Sequence, residues 1–262
     1  GPAGAVNAKA KQPNSFIYRF TPANVGDLAQ GGVLEALQVS GQDGQPIVFH
    51  AGAADADILS AAMHDLHTPG LEFRTRWVVV HDTARDGSAT FDANAAAKAA
   101  SATPFKRPEN GLFRPGTGFR QFAFTETGDT NALSQANAGF GGYGGVFMLT
   151  QRRGPSAAEG TLRLVFAGDQ AHTGFDNLAW WSKDRLAVVE DAGDTLHAQR
   201  NALDSGFLID VDARSPAAVR FLAEGRDASA TIDSALGAAA TPGFQNEGDN
   251  EITGIHVSDG DP

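Results

Sequence analysis

The sequence contains no cysteine, so disulfides and thiolate metal sites are excluded within it, and the redox compartment is left open. Basic residues are outnumbered, 20 Lys and Arg against 31 Asp and Glu, and the formal net charge of -11 comes with no Lys/Arg cluster. A nucleic-acid partner is thereby excluded, because a phosphate backbone is held by clustered basic side chains. No apolar run reaches the roughly 20 residues that a membrane-spanning helix needs. No secretory leader is visible either, although truncation at the N terminus would remove one. Tyrosine is scarce, 2 residues, while phenylalanine contributes 17, and with 31 Gly and 12 Pro this composition suits phenylalanine-rich strands joined by many tight turns. At 262 residues and 42% hydrophobic, the chain is long enough to bury a substantial core.

What is present is a repeat. Arg107-Pro108-Glu109-Asn110-Gly111, the strand-like Phe122–Thr125 and the acidic Glu126-Thr127-Gly128-Asp129 are answered by Phe175-Asp176-Asn177-Leu178, Leu186–Val189 and Glu190-Asp191-Ala192-Gly193-Asp194. Glu109 and Asp176 lie 67 residues apart, Glu126 and Glu190 64, and Val146 and Phe207 61. Each unit continues with two further apolar strands, Gly145–Thr150 and Thr161–Gly168 in the first, Gly206–Val211 and Val219–Gly225 in the second. Four short strands per unit at even spacing predict a mainly β chain, a β-propeller of four-stranded blades. Repeated strands that return carboxylates to one place make a pocket for a hard cation, and an acidic chain favours cations.

Phe16–Thr21 and Leu34–Val39 read as half of an earlier blade, and Asn250–Val257 as the first strand of a later one. The expected organisation is a loose N-terminal stretch over 1–14, a half blade over 15–41, an insertion over 42–104, blades over 105–168 and 173–226, and the next blade's opening strand over 245–262. Gly1-Pro2 has the look of a protease scar. On this reading the propeller is partial, starting and ending in mid-blade, and its open strand edges invite the missing portion or self-association.

In the insertion, 54–63 predicts a helix capped by Asp55 or Asp57, Trp77–Val80 a buried strand, and 92–100 an alanine-rich helix capped by Asp92. These helices are expected to decorate the rim as a loop insertion. His64 and His67 are expected at a solvated helix end. His172 and His197, near the second acidic cluster, are candidate general acids weighed against loop histidines. Ser205 with Asp204 lacks the glycine pattern of a nucleophile elbow. The glycines around Tyr143 precede a strand rather than a helix, so they do not form a dinucleotide loop.

The segments Phe105-Lys106-Arg107-Pro108-Glu109-Asn110-Gly111, Phe175-Asp176-Asn177-Leu178, Val189-Glu190-Asp191-Ala192-Gly193-Asp194 and Asn250-Glu251-Ile252-Thr253-Gly254 resemble the metal-site segments of the PhoX-type alkaline phosphatases, a phytase-like group also labelled DUF839. The resemblance runs from about Ser15 to the end of the chain. It implies a secreted, extracellular propeller that hydrolyses phosphate esters with Ca2+ and, in well-known members, iron (Fe3+). It would make Glu109, Glu190 and Glu251 metal ligands, with Asp191 and Asp176 as further candidates. Arg107 would be a positive contact for the substrate. Iron-binding members supply a cysteine, and its lack here implies either a ligand upstream or a calcium branch without iron. The competing reading is a non-catalytic extracellular propeller that calcium stabilises as a binding or structural module.

Overall fold

The structure, a computed structural model, describes residues 9–154, 156–224 and 252–258. A hairpin of β1 (Tyr18–Pro22) and β2 (Gly32–Val39) comes first, then helices α1 (Ala54–Ile58) and α2 (Ala61–Leu66), the long strand β3 (Glu72–Asp82), and helices α3 (Thr83–Asp86) and α4 (Ala93–Ala99). A four-stranded meander follows: β4 (Pro108–Phe113), β5 (Gln121–Glu126), β6 (Gly145–Gln151) and β7 (Glu159–Ala167). The second meander holds β8 (Phe175–Trp180), β9 (Arg185–Glu190), helix α5 (Gly193–Arg200), β10 (Ser205–Asp210) and β11 (Ala218–Ala223).

The mainly β architecture and both meanders follow the repeat in the sequence. The grouping of strands differs. Two antiparallel sheets are present, one of order β1-β2-β3-β7-β6-β5-β4 and one of order β11-β10-β9-β8. The expected half blade and first blade are thus fused into one seven-stranded sheet. The cause is β3: its 11 residues offer hydrogen-bonding edges on both sides, pairing with Val33–Val39 of β2 and with Glu159–Arg163 of β7. A strand expected within a rim insertion is instead the seam of the larger sheet. That sheet curls, so that Phe16–Tyr18 at one edge and Pro108, Glu109 and Phe122 at the other line a common cavity of about 230 Å³.

The middle strands of the large sheet are buried on both faces. Side chains alternate across a strand, so Phe124, Phe147, Leu149, Leu162 and Leu164 enter one core with Met63 and Leu66 of α2. Ala123, Val146, Met148 and Val165 point the other way, against Phe175, Leu178, Val188, Phe207 and Ile209 of the small sheet. This double burial accounts for the continuous apolar runs in the sequence.

The helices depart from expectation in one respect. Ser60 caps α2 by accepting from the Met63 N–H at 3.0 Å, which splits the 54–63 segment in two. Asp57 is not a cap; it is buried and accepts from Gln12 Nε2 at 2.6 Å and from the His50 N–H at 2.8 Å. Asp92 caps α4 as expected, accepting from the Ala95 N–H at 2.9 Å. Residues 252–258 carry no strand, and Thr253 offers its carbonyl to Asn177 Nδ2 at 2.8 Å.

Phe147 is fully buried and packs against Phe105, Phe124 and His67. Phe147→Ala is expected to cost about 3–5 kcal/mol, while Val25→Ala at a largely exposed site stays within about 0.5 kcal/mol; urea unfolding followed by circular dichroism measures both.

Candidate active site

The repeat has a structural counterpart at the head of each meander. β4 pairs with β5 from Pro108 opposite Glu126 to Gly111 opposite Phe124, and β8 pairs with β9 from Phe175 opposite Glu190 to Leu178 opposite Val188. Both registers slip across two residues, Glu109-Asn110 in one and Asp176-Asn177 in the other, as β-bulges do where a strand has to re-aim side chains. Asn110 Nδ2 donates to Asn177 Oδ1, and Thr125 Oγ1 donates to the Asp176 carbonyl, so the two bulges are joined. Sequence repetition therefore becomes spatial adjacency.

Each bulge is anchored by a buried glutamate. Glu126, 0% exposed, accepts from the Lys106 backbone N–H through one oxygen and meets His67 Nε2 at 2.6 Å through the other. Glu190, 1% exposed, accepts from the Thr173 N–H at 2.9 Å, the Ser205 N–H at 3.0 Å and both Nη atoms of Arg200 at 2.9 and 3.0 Å. Both Glu190 oxygens are committed to these donors. The residue after each anchor closes the loop through its N–H: Thr127 donates to the Arg107 carbonyl at 3.0 Å, and Asp191 to the Gly174 carbonyl at 2.7 Å. His67, expected at a solvated helix end, is buried instead, with Nδ1 donating to the Met63 carbonyl at 2.8 Å.

Arg107 and Gly174 occupy matching positions and both are left-handed, with φ of 59° and 70°. Glycine adopts that conformation without penalty, whereas a residue with a β-carbon pays about 1–2 kcal/mol. The first unit thus holds an arginine in strain where the second uses glycine. Strain of this kind collects at functional sites. The guanidinium lies 3.8 Å from Glu109 Oε1 and is partly exposed.

Around it stand the carboxylates of Glu109, Asp176 and Asp191, each half-buried and each with a raised pKa. For Glu109 the cause is first burial, then the charges of Asp176 and Asp191, opposed by Arg107 and the Thr127 hydroxyl. For Asp176 it is burial, opposed by the Asn177 amide and Arg107. For Asp191 it is burial, then Asp176 and Asp204, opposed by Arg107 and His197. Burial also raises Glu190, against the hydrogen bonds and charge of Arg200. Three acids and one guanidinium thus share a field in which the negative charge is under-compensated. Among the described residues, no three His, Asp or Glu groups lie close enough to hold a metal ion as they stand.

Behind Asp191 lies a buried pair, Asp204 with the candidate His197, whose contact motif reading did not give. Asp204, fully buried, accepts from the Ala192 N–H at 3.1 Å and from His197 Nε2 at 2.9 Å through Oδ1; its Oδ2 has no hydrogen-bond partner among the described residues. His197 is fully buried against it, and His172 sits on Asp169 with its ring against Phe166 and Phe207. The sequence holds no local signal for this pairing, because α5 ends at Arg200 and the chain turns through the left-handed Asn201 before it reaches Asp204. Of the sequence-derived candidates, Glu109, Asp176, Asp191 and Arg107 come together, Glu190 lies beneath them as an anchor, and Glu251 falls outside the described residues.

The fold and this cluster define a mainly β protein with an oxygen-rich acidic site held beside a strained arginine. The chain belongs to the alkaline phosphatase PhoX family, whose model matches residues 8–261. It is also similar to a solved structure of Pseudomonas fluorescens PhoX in complex with vanadate, a transition state analogue, with a TM-score of 0.53 and 17% identity over 82% of this chain. At that identity the likeness concerns the fold. This chain spans 41% of the length of that structure. No curated protein sequence matches it.

Two outcomes follow. Glu190→Ala removes the carboxylate that both Nη atoms of Arg200 meet, leaving the longer contact to Asp204 at 3.5 Å, and is expected to cost about 3–5 kcal/mol in urea unfolding. Because Glu109, Asp176 and Asp191 bind protons more tightly when folded, their contribution to stability is greatest below the ordinary carboxylate range and declines as pH rises through that range to their raised values. In metal-free protein Asp191→Asn is expected to flatten this decline; unfolding free energies between about pH 4 and pH 8 that show an unchanged slope would contradict it.

Proposed function

We propose that this chain is the site-bearing part of a secreted, metal-dependent phosphatase that hydrolyses phosphate esters, with Ca2+ drawn to the acidic field of Glu109, Asp176 and Asp191, whose side chains would have to close in to hold it. The observation that carries the reading is the joining of the two bulges through Asn110 and Asn177, which puts Glu109, Asp176 and Asp191 in one electrostatic field with Arg107 in a chain of the PhoX family. All-oxygen donors suit calcium, and their raised proton affinity reflects a deficit of positive charge that a cation would fill. The buried Oδ2 of Asp204, without a hydrogen-bond partner among the described residues, belongs to a carboxylate whose charge bears on Asp176 and Asp191. No thiolate is available within the 262 residues, so a cysteine ligand to iron would have to come from outside them. Glu251 is proposed to join from the C-terminal segment. The Pseudomonas protein of similar fold binds vanadate, a transition state analogue, and a phosphate ester is the substrate class proposed for this chain.

A bound cation supplies neutralisation of the phosphate oxygens and acidifies the attacking water. The chain's own residues do the rest. Arg107 places a planar donor fork beside the carboxylates, suited to two oxygens of one phosphate. Glu109 and Asp176 are aimed by their bulges, and Asp191 is held through its N–H on the Gly174 carbonyl, between Glu190, paired with Arg200, and Ala192, whose N–H is bound by Asp204. Glu190 acts as a positioning residue, since its oxygens are already spent. In the complete protein, the two meanders are proposed to serve as neighbouring blades of a propeller.

Release of p-nitrophenol from p-nitrophenyl phosphate is expected only with calcium present, in this chain or in the longer protein containing it. Arg107→Gly is expected to leave stability within about 1 kcal/mol, because glycine suits the left-handed site, while lowering kcat/KM at least about a hundredfold. A calcium-raised melting temperature without turnover in the longer protein would reject the enzyme in favour of a calcium-stabilised module.

A further inference from the structure

We infer that the outer face of the seven-stranded sheet carries a second ligand site, for a small oxyanion of the phosphate or pyrophosphate type, separate from the acidic cluster. A cavity of about 450 Å³ there is lined by Arg74, Arg76 and Arg152, together with Gln38, Ser40 and Glu159. β3 alternates strictly at this end: Phe73 and Thr75 are buried while Arg74 and Arg76 are exposed. The two arginines therefore project from one face, about 7 Å apart. Arg152 reaches the same cavity from the turn between β6 and β7.

Arg76 is held in place. Gln38, its cross-strand neighbour and only 2% exposed, accepts from Arg76 Nε at 2.6 Å and donates its own amide to the Ser101 carbonyl at 2.7 Å. That uses the inner nitrogen of the guanidinium. Among the described residues, the Nη atoms of Arg76 and the guanidinium groups of Arg74 and Arg152 have no hydrogen-bond or ion-pair partner. Glu159, directly across from Arg76, lines the cavity but pairs with none of the three.

Three guanidinium groups against one carboxylate leave a local charge of +2 in a chain whose net charge is -11. Like charges gathered at a cavity repel, and a doubly charged oxyanion relieves that repulsion while offering acceptors to planar donor forks. This site and the acidic cluster sit at opposite ends of β6: Gly145 is paired with Glu126, and Gln151 is followed by Arg152. Seven residues of strand separate them by roughly 20 Å, too far for one small substrate to touch both.

Isothermal titration with sodium pyrophosphate, in EDTA so that cations do not contribute, tests the proposal. The unsubstituted chain and Asp191→Asn are expected to bind one pyrophosphate with the same affinity. The Arg74→Ala/Arg152→Ala double variant, checked for folding by its melting curve, is expected to bind at least about tenfold more weakly. Absence of binding at about 10 mM pyrophosphate, equal affinity in the double variant, or loss of binding in Asp191→Asn would each overturn it. Phosphatase activity plays no part in the readout, so the outcome is independent of the catalytic reading.

Discussion

A buried glutamate that takes the backbone N–H of a loop well upstream in the chain is the contact on which the rest of this site depends. Glu126 does this for Lys106 and Glu190 for Thr173. A carboxylate removed from water is costly unless its oxygens are filled with donors, and here the donors are the loops that lead into β4 and β8. Folding the strand that carries the glutamate therefore fixes the loop, and the loop fixes the bulge beyond it. Once both bulges form, the hydrogen bond between Asn110 and Asn177 sets them side by side.

The two units are alike in scaffold and unlike in what they hold in it. Where the second has Gly174, the first has Arg107 in the same left-handed backbone. Where the first has Thr127 after its anchor, the second has Asp191. The scaffold thus presents acid from both units and a guanidinium from one, and the balance of charge falls on the negative side. Partial burial sharpens that imbalance, since each carboxylate is pushed toward its neutral form first by desolvation and then by its neighbours.

Charge is also divided along the molecule. The acidic groups gather at one end of the strands, and three arginines without an ion-pair partner among the described residues gather at the other. Within an acidic protein such separation produces local potentials of opposite sign, which attract ligands of opposite charge to opposite ends. The curled sheet makes this possible, because its middle strands are buried on both faces and leave only their ends and outer edges for polar work.

The repeat, the mainly β composition, the strands of the two meanders and the correspondence of Glu109 with Asp176 were legible in the sequence, because a four-strand period and its turn residues are local patterns; the strand expected over Asn250–Val257 does not form in 252–258. So were the resemblance to the phosphatase family and the Asp92 cap. The fusion of β3 into a seven-stranded sheet was not, since a lone apolar strand such as Trp77–Val80 does not say which edges it will satisfy. Nor was the division of labour among the acids: Glu190 and Asp191 are adjacent letters, yet β9 ends on Glu190, so one is buried on Arg200 and the other lies in the loop beyond, among the acids of the site. His67, Asp204 and Arg200 were unreadable for the same reason. Their partners lie across the fold, and only the packing of one element on another decides which polar group is sealed from water and must therefore be paired.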